Sequence, residues 1–219
     1  MINTWDWMMR LAGSRRTDWR RKRMQAMLDL MKLPPRSRVI DLGGTEENWR
    51  LIDHGFHVTL VNLPDWQDPV SDPDHYRRVD GDACNLGAQF ADNSFEAVFS
   101  NSTIEHVGDE EQQARFAAET RRLAPAYWVQ TPSTLSPIEP HTGVPFYWRL
   151  PRFLREAILS YWDRRVPGWV VMLRGTRVLS RRRMRELFPD GRIYVERILG
   201  VEKSYTFYRP YKAPGDSSH

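Results

Sequence analysis

Between residues 38 and 131 strand-length apolar runs alternate with helical patterns, and that alternation leaves few folds open. The runs 38–42, 57–62, 76–80, 95–100 and 126–131 are short, apolar and bounded by turn residues, with helical spacing over 46–54 and 109–123. Strands separated by such patterns imply crossover connections and a mostly parallel sheet covered on both faces. Ahead of the first strand, 17–32 places Met24, Met27, Leu28 and Met31 on one helical face, with arginines around them, and Pro34-Pro35 ends it. After 131 prolines at 132, 137, 140, 145 and 151 break the pattern. Helical spacing resumes at 151–162 and at 180–188, where Ser180 is the expected N-cap, and 192–199 and 202–209 alternate around Gly200 as a closing antiparallel hairpin. Seven strands in all are expected in this α/β chain.

With 219 residues, 41% of them hydrophobic, the chain is long enough for one domain with a sizeable core. A single cysteine, Cys84, excludes an internal disulfide and a cysteine-based zinc site, which fits a reducing compartment. The opening Met-Ile-Asn-Thr-Trp-Asp-Trp lacks a basic stretch followed by an apolar run, so no secretion signal is expected, and no apolar run is long enough to span a bilayer. The net charge of +4 is unevenly spread: 10 basic against 3 acidic residues over 1–38, 4 against 17 over 39–120, and 10 against 2 over 152–185. Basic flanks of this kind either attract phosphate, nucleic acid or an anionic membrane, or neutralise the acidic centre in the folded chain.

The stretch Val39-Ile40-Asp41-Leu42-Gly43-Gly44-Thr45 carries the strongest chemical signal: a strand ending in a carboxylate, then two glycines opening a helix. Glycines there let backbone approach a ligand closely. Later strand ends supply Asn62, Gly81-Asp82-Ala83, and Asn101 followed by Ile104-Glu105-His106-Val107. With these motifs in this order the sequence resembles the class I S-adenosylmethionine-dependent methyltransferases, and within them a bacterial branch whose turn reads Asp-Leu-Gly-Gly-Thr, often encoded among surface-polysaccharide and natural-product genes. The resemblance implies a Rossmann-like seven-stranded sheet, helices on both faces, a C-terminal antiparallel hairpin, and S-adenosyl-L-methionine as cofactor. One methyltransferase domain is expected over 1–219, with a helical extension at 1–35 and a lid or acceptor-binding insertion at 132–185.

By the same resemblance Asp41 sits beneath the methionine portion, Gly43 and Gly44 let backbone pass the cofactor, Asp82 accepts from the adenine amino group, Ala83 offers its N–H to the ring, and Asn101 stands near the sulfonium. Two departures stand out. The usual second and third glycines are Thr45 and Glu47, and the usual ribose-binding carboxylate is Asn62, with Asp65 nearby to compensate. A hydroxyl acceptor needs a general base, and His106 and His141 are the candidates. Glu105, His106 and His141 also suit a divalent ion, but Ser102 replaces the first carboxylate of the Glu-x-x-Glu-His cluster in some related enzymes, so no metal is assigned. Tyr147 and Trp148 are candidate stacking surfaces for a sugar or ring, and Arg149 an anion contact.

The expected function is methyl transfer to the oxygen of a saccharide or related small molecule. RNA methylation and a non-catalytic cofactor-binding or scaffold role are the alternatives, the first disfavoured by modest charge and the absence of a nucleic-acid motif. The expected location is the cytoplasm, with peripheral contact at the inner membrane face through the basic, aromatic segment 161–183.

Overall fold

The computed structural model describes residues 4–64, 69–136, 144 and 146–213, the side chains of 4–16 and of Trp169 excepted. Helix α1 (Thr4–Met31) leads into β1 (Arg38–Leu42), the one-turn α2 (Glu46–Trp49), β2 (His57–Asn62), β3 (Tyr76–Asp80), β4 (Ala97–Asn101), α3 (Glu110–Leu123) and β5 (Ala126–Pro132). A 3-10 turn at Tyr147–Arg149 precedes α4 (Arg152–Asp163), α5 (Pro167–Gly175), α6 (Arg181–Leu187), β6 (Arg192–Ile198) and β7 (Val201–Arg209). The seven strands lie in the order β3-β2-β1-β4-β5-β7-β6. The first five in that order are parallel, and β7 runs antiparallel between β5 and β6.

Alternation along the strands divides the core in two. On one face Ile40, Leu42, Val98, Tyr127, Val129 and Phe207 pack against Phe116 and Leu123 of α3 and Met184 and Leu187 of α6. On the other, Val39, Val58, Phe99, Trp128 and Tyr208 receive Met24, Met27 and Met31 of α1. Each fully buried methionine contributes about 1.5–3 kcal/mol of apolar transfer, so the C-terminal half of α1 belongs to the domain core.

Local chemistry sets the ends of the elements. Asp109 caps α3, its side chain accepting from the N–H groups of Glu111 and Gln112, and Ser180 caps α6 by accepting from Arg183 N–H. The hairpin turns on Leu199 and Gly200, both in the left-handed region with φ of 49° and 81°, as a two-residue turn between twisted strands demands. The helix expected over 46–54 stops after one turn instead. The Ile52 N–H closes back on Trp49 O, and Gly55 O accepts from Arg36 N–H, which returns the chain beneath the sheet to begin β2. Among the described residues no helix is long and apolar enough to cross a membrane.

Candidate functional site

The parallel strands β3, β2, β1 and β4 end side by side, and their carboxyl ends carry the residues singled out above. The Gly43 N–H donates to Val61 O, Gly81 N–H to Asn62 O, and the Ser100 hydroxyl to Leu42 O, which fixes four strand ends relative to one another. Open α/β sheets bind ligands along this edge.

The two glycines have an internal reason to be there. Gly43 has φ of +81°, and a Cβ on it would lie 2.4 Å from Thr103 Oγ1. A Cβ on Gly44 would lie 1.7 Å from Asp41 Oδ2. The loop therefore closes on the β4–α3 segment on one side and on its own strand-end carboxylate on the other. Asn62 adds a third tie, its Nδ2 donating to Gly44 O at 2.8 Å, so this side chain braces the turn with its amide and keeps its carbonyl oxygen as an acceptor.

Asp41 is fully buried. Its Oδ2 accepts from Trp49 Nε1 at 2.7 Å, and Oδ1 has no hydrogen-bond partner among the described residues. Burial pushes the carboxyl up to about 7, against the opposing pull of the indole N–H. Neighbouring Glu46 shows the opposite outcome. Burial works against its charge as well, but the hydroxyl and N–H of Ser71 and the guanidinium of Arg50 hold it below the ordinary carboxylate range, tying the chain after β2 to α2.

After β3, Asp82 is exposed at the edge, and its Oδ1 accepts from Cys84 N–H at 2.9 Å, a local turn that shapes the Asp82-Ala83 step. Burial, together with Asp82, pushes the Cys84 thiol up to about 12, which removes it as a nucleophile. Asn101, at the end of β4, accepts from Arg23 of α1 through Oδ1. That arginine is buried, ion-paired to Glu196 at 2.6 Å and within 3.1 Å of Gln130 Oε1. Burial opposes the charge of Glu196, but Arg23 and Lys203 hold it low, while burial lowers Lys203 to about 8 with its ammonium 3.9 Å from the Trp19 ring centre. The motifs of the sequence single out no member of this network except Asn101. A signal for it exists: Arg23 stands four residues before Met27, on the stripe that faces the core.

His106 and Glu105 sit just beyond β4. The Thr176 hydroxyl donates to Met172 O at 2.9 Å and stands 3.2 Å from His106 Nδ1. With its proton given to Met172 O, the hydroxyl is left to accept at the histidine, the arrangement in which the imidazole proton sits on Nδ1. Glu105 is buried, its Oε2 accepting from the Thr131 hydroxyl and its carbonyl from Arg177 N–H. The β4–α3 segment is thus fastened to the stretch that follows α5. His141 and Asp65 lie outside the described residues. Among the described residues no three His, Cys, Asp or Glu side chains are grouped as metal ligands would be.

The acceptor-side candidates separate. Tyr147 is buried, its ring edge-to-face with Trp148 at 5.1 Å, so the stacking surface expected of it is corrected to a packing role. Trp148 is half-buried and lines a surface cavity of about 570 Å3 together with Thr176, Arg177 and Gln113, while Arg149 is exposed to solvent. A second cavity, of about 520 Å3, opens at the amino ends of β1, β2 and β3, away from the glycine turn.

The donor set at the carboxyl edge fits an adenosyl cofactor: a buried carboxylate oxygen in want of a donor, an amide carbonyl at the end of β2, and the Asp82-Ala83 turn beyond β3. A family model described as a methyltransferase domain matches residues 44–125. No curated protein sequence matches the chain. Among solved structures, a putative sarcosine dimethylglycine methyltransferase from Galdieria sulphuraria is 13% identical, with a TM-score of 0.54 over 91% of this chain and 86% of that one. Geranyl diphosphate C-methyltransferase from Streptomyces coelicolor A3(2) is 12% identical, with a TM-score of 0.55 over 90% and 80%. A putative methyltransferase from an antibiotic biosynthesis pathway of Anabaena variabilis is 18% identical, with a TM-score of 0.51 over 81% and 64%. Residues 44–125 thus match a methyltransferase-domain model, and the chain shares with these solved structures a Rossmann-like sheet closed by an antiparallel hairpin.

Proposed function

We propose that this protein transfers a methyl group from S-adenosylmethionine to a hydroxyl of a saccharide or related small molecule. The observation that carries the reading is the carboxyl edge of the sheet, where Asp41, the Gly43-Gly44 turn, Asn62, Asp82-Ala83 and Asn101 stand at four adjacent strand ends with one buried carboxylate oxygen unsatisfied. When bound, the cofactor supplies a methyl already activated by its positive sulfur. The residues of the chain then have two tasks, alignment and proton removal. Asp41 Oδ1 and the Asn62 carbonyl accept from the cofactor, Asp82 and Ala83 address its base, and Asn101 stands by the reacting centre, with Oδ1 held by Arg23 so that its amide donors face away from that guanidinium. His106, with its proton placed on Nδ1 by Thr176, takes the acceptor's proton at Nε2. A hydroxyl acceptor must lose its proton, and a base at this place favours it over a nitrogen that already presents its lone pair. In this reading the segment 132–185 forms the acceptor wall, with Trp148 as its aromatic surface and His141 as a second candidate base.

A non-catalytic, cofactor-binding role is favoured by one observation, the commitment of the Asn62 amide to Gly44 O in place of a ribose-binding carboxylate. Incubating candidate glycans and small hydroxyl compounds with a deuterated methyl donor and reading products by mass spectrometry separates the two. The enzymatic reading expects label on an acceptor oxygen, and turnover lost in His106→Ala with cofactor affinity retained. Cofactor binding with no labelled product from any acceptor favours the second reading.

A further inference from the structure

We propose that the α4–α5 hairpin docks on an anionic lipid surface, with its outward apolar face entering the headgroup region. The hairpin has a core of its own, Leu159, Val170 and Leu173, separate from the two cores on the sheet. Elsewhere the helices turn their apolar stripe to the sheet; here the arrangement is reversed. At about 100° per residue Phe153, Ala157, Tyr161 and Leu154 share one arc of α4, opposite the side that carries Leu159. That arc faces solvent, with Phe153 71% and Tyr161 58% exposed, and on the packed neighbour α5 Val171 is 68% exposed. An apolar face of this size left open to water marks an interaction surface.

The charges around the face select the occupant. Arg152, Arg164, Arg165 and Arg174 are all exposed, and 152–177 holds six arginines against Glu156 and Asp163. The Arg165 guanidinium folds over the Tyr161 ring at 4.2 Å, a long side chain lying along an apolar surface with its charge at the rim. Large apolar side chains in the middle with arginines at the margin are the composition of a helix lying in the plane of a negatively charged leaflet. The face is borne on a helix of 12 residues, about 18 Å long, enough to lie along a bilayer surface and too short to span one. The face shares no residue with the glycine turn, and vesicle binding is read without turnover.

The test is sedimentation of the full chain with vesicles of phosphatidylcholine alone and of phosphatidylcholine containing about one-third phosphatidylglycerol. The expected result is binding to the anionic vesicles, weak binding to the neutral ones, and loss of affinity as salt rises. Phe153→Asp and Tyr161→Asp each weaken binding about tenfold or more, and Arg164→Ala and Arg165→Ala about fivefold each. These side chains are exposed, so thermal melts of the variants stay at the wild-type midpoint. Wild-type protein that stays in the supernatant with anionic vesicles, binds neutral vesicles equally, or binds unchanged in all four variants overturns the proposal. A wild-type dimer that Phe153→Asp converts to monomer, with no vesicle binding, also overturns it and assigns the face to self-association.

Discussion

Replacing Asp41 by asparagine tests the electrostatics of the glycine turn through stability alone. In the folded chain burial holds this carboxyl at about 7, against an ordinary value of 3.8. Between those two values the unfolded chain has released the proton and the folded chain still holds it. The unfolded state thus binds fewer protons, and the contribution of Asp41 to stability falls as pH rises through this window, levelling off above about 7. At 1.36 kcal/mol per unit, a shift of about three units is worth on the order of 4 kcal/mol. The asparagine of the variant does not titrate, and its side-chain oxygen can still accept from Trp49. Glu46, Glu96, Glu119, Asp190 and Glu196 are held low in the folded state, so they add stability above their unfolded values and lose it in acid. They do so in both proteins and cancel in the difference. Urea unfolding of Asp41→Asn and wild type from about pH 4 to about pH 8 should show the difference moving toward the variant by on the order of 4 kcal/mol. A difference that stays level across that range refutes the reasoning. A cofactor ammonium beside Asp41 would favour the ionised form, so wild-type affinity for S-adenosylmethionine should climb toward neutral pH and the variant's should stay level.

Gly44→Ala drives a Cβ onto Asp41 Oδ2 and should cost about 2–3 kcal/mol in urea unfolding while weakening cofactor binding; Gly87→Ala, with nothing within 4 Å of its added carbon, should do neither. Arg23→Met leaves Glu196 buried without its ion-pair partner and should cost on the order of 3 kcal/mol by the same assay, most of it recovered when Glu196→Leu is added. Thr176→Val removes the acceptor that places the proton on His106 Nδ1, so turnover should fall about tenfold with KM nearly unchanged, read from the pH–rate profile.

Much of the frame is legible in the sequence because its periodicities are local. The limits of β1, β2 and β3 follow from apolar runs between turn residues, and Ser180 announces its helix by capping chemistry. What escapes depends on partners far along the chain. Residues 46–54 have helical spacing, but their fate is set by Trp49 reaching back to Asp41 and by Gly55 pairing with Arg36, neither of which a local pattern registers. Tyr147 reads as a surface because prolines surround it, whereas its ring is packed away beside Trp148. The glycine pair reads as a place of close approach, and what approaches in this structure is Thr103 and Asp41. Arg23 reads as one more solvated arginine, although its spacing to Met27 places it on the buried stripe of α1.

Titration calorimetry of the full chain with S-adenosylmethionine and with its demethylated product, S-adenosylhomocysteine, tests the central claim most directly. Saturable one-to-one binding of both is expected, weakened in Gly44→Ala and unaffected in Phe153→Asp. No heat from either compound at millimolar concentration would contradict it.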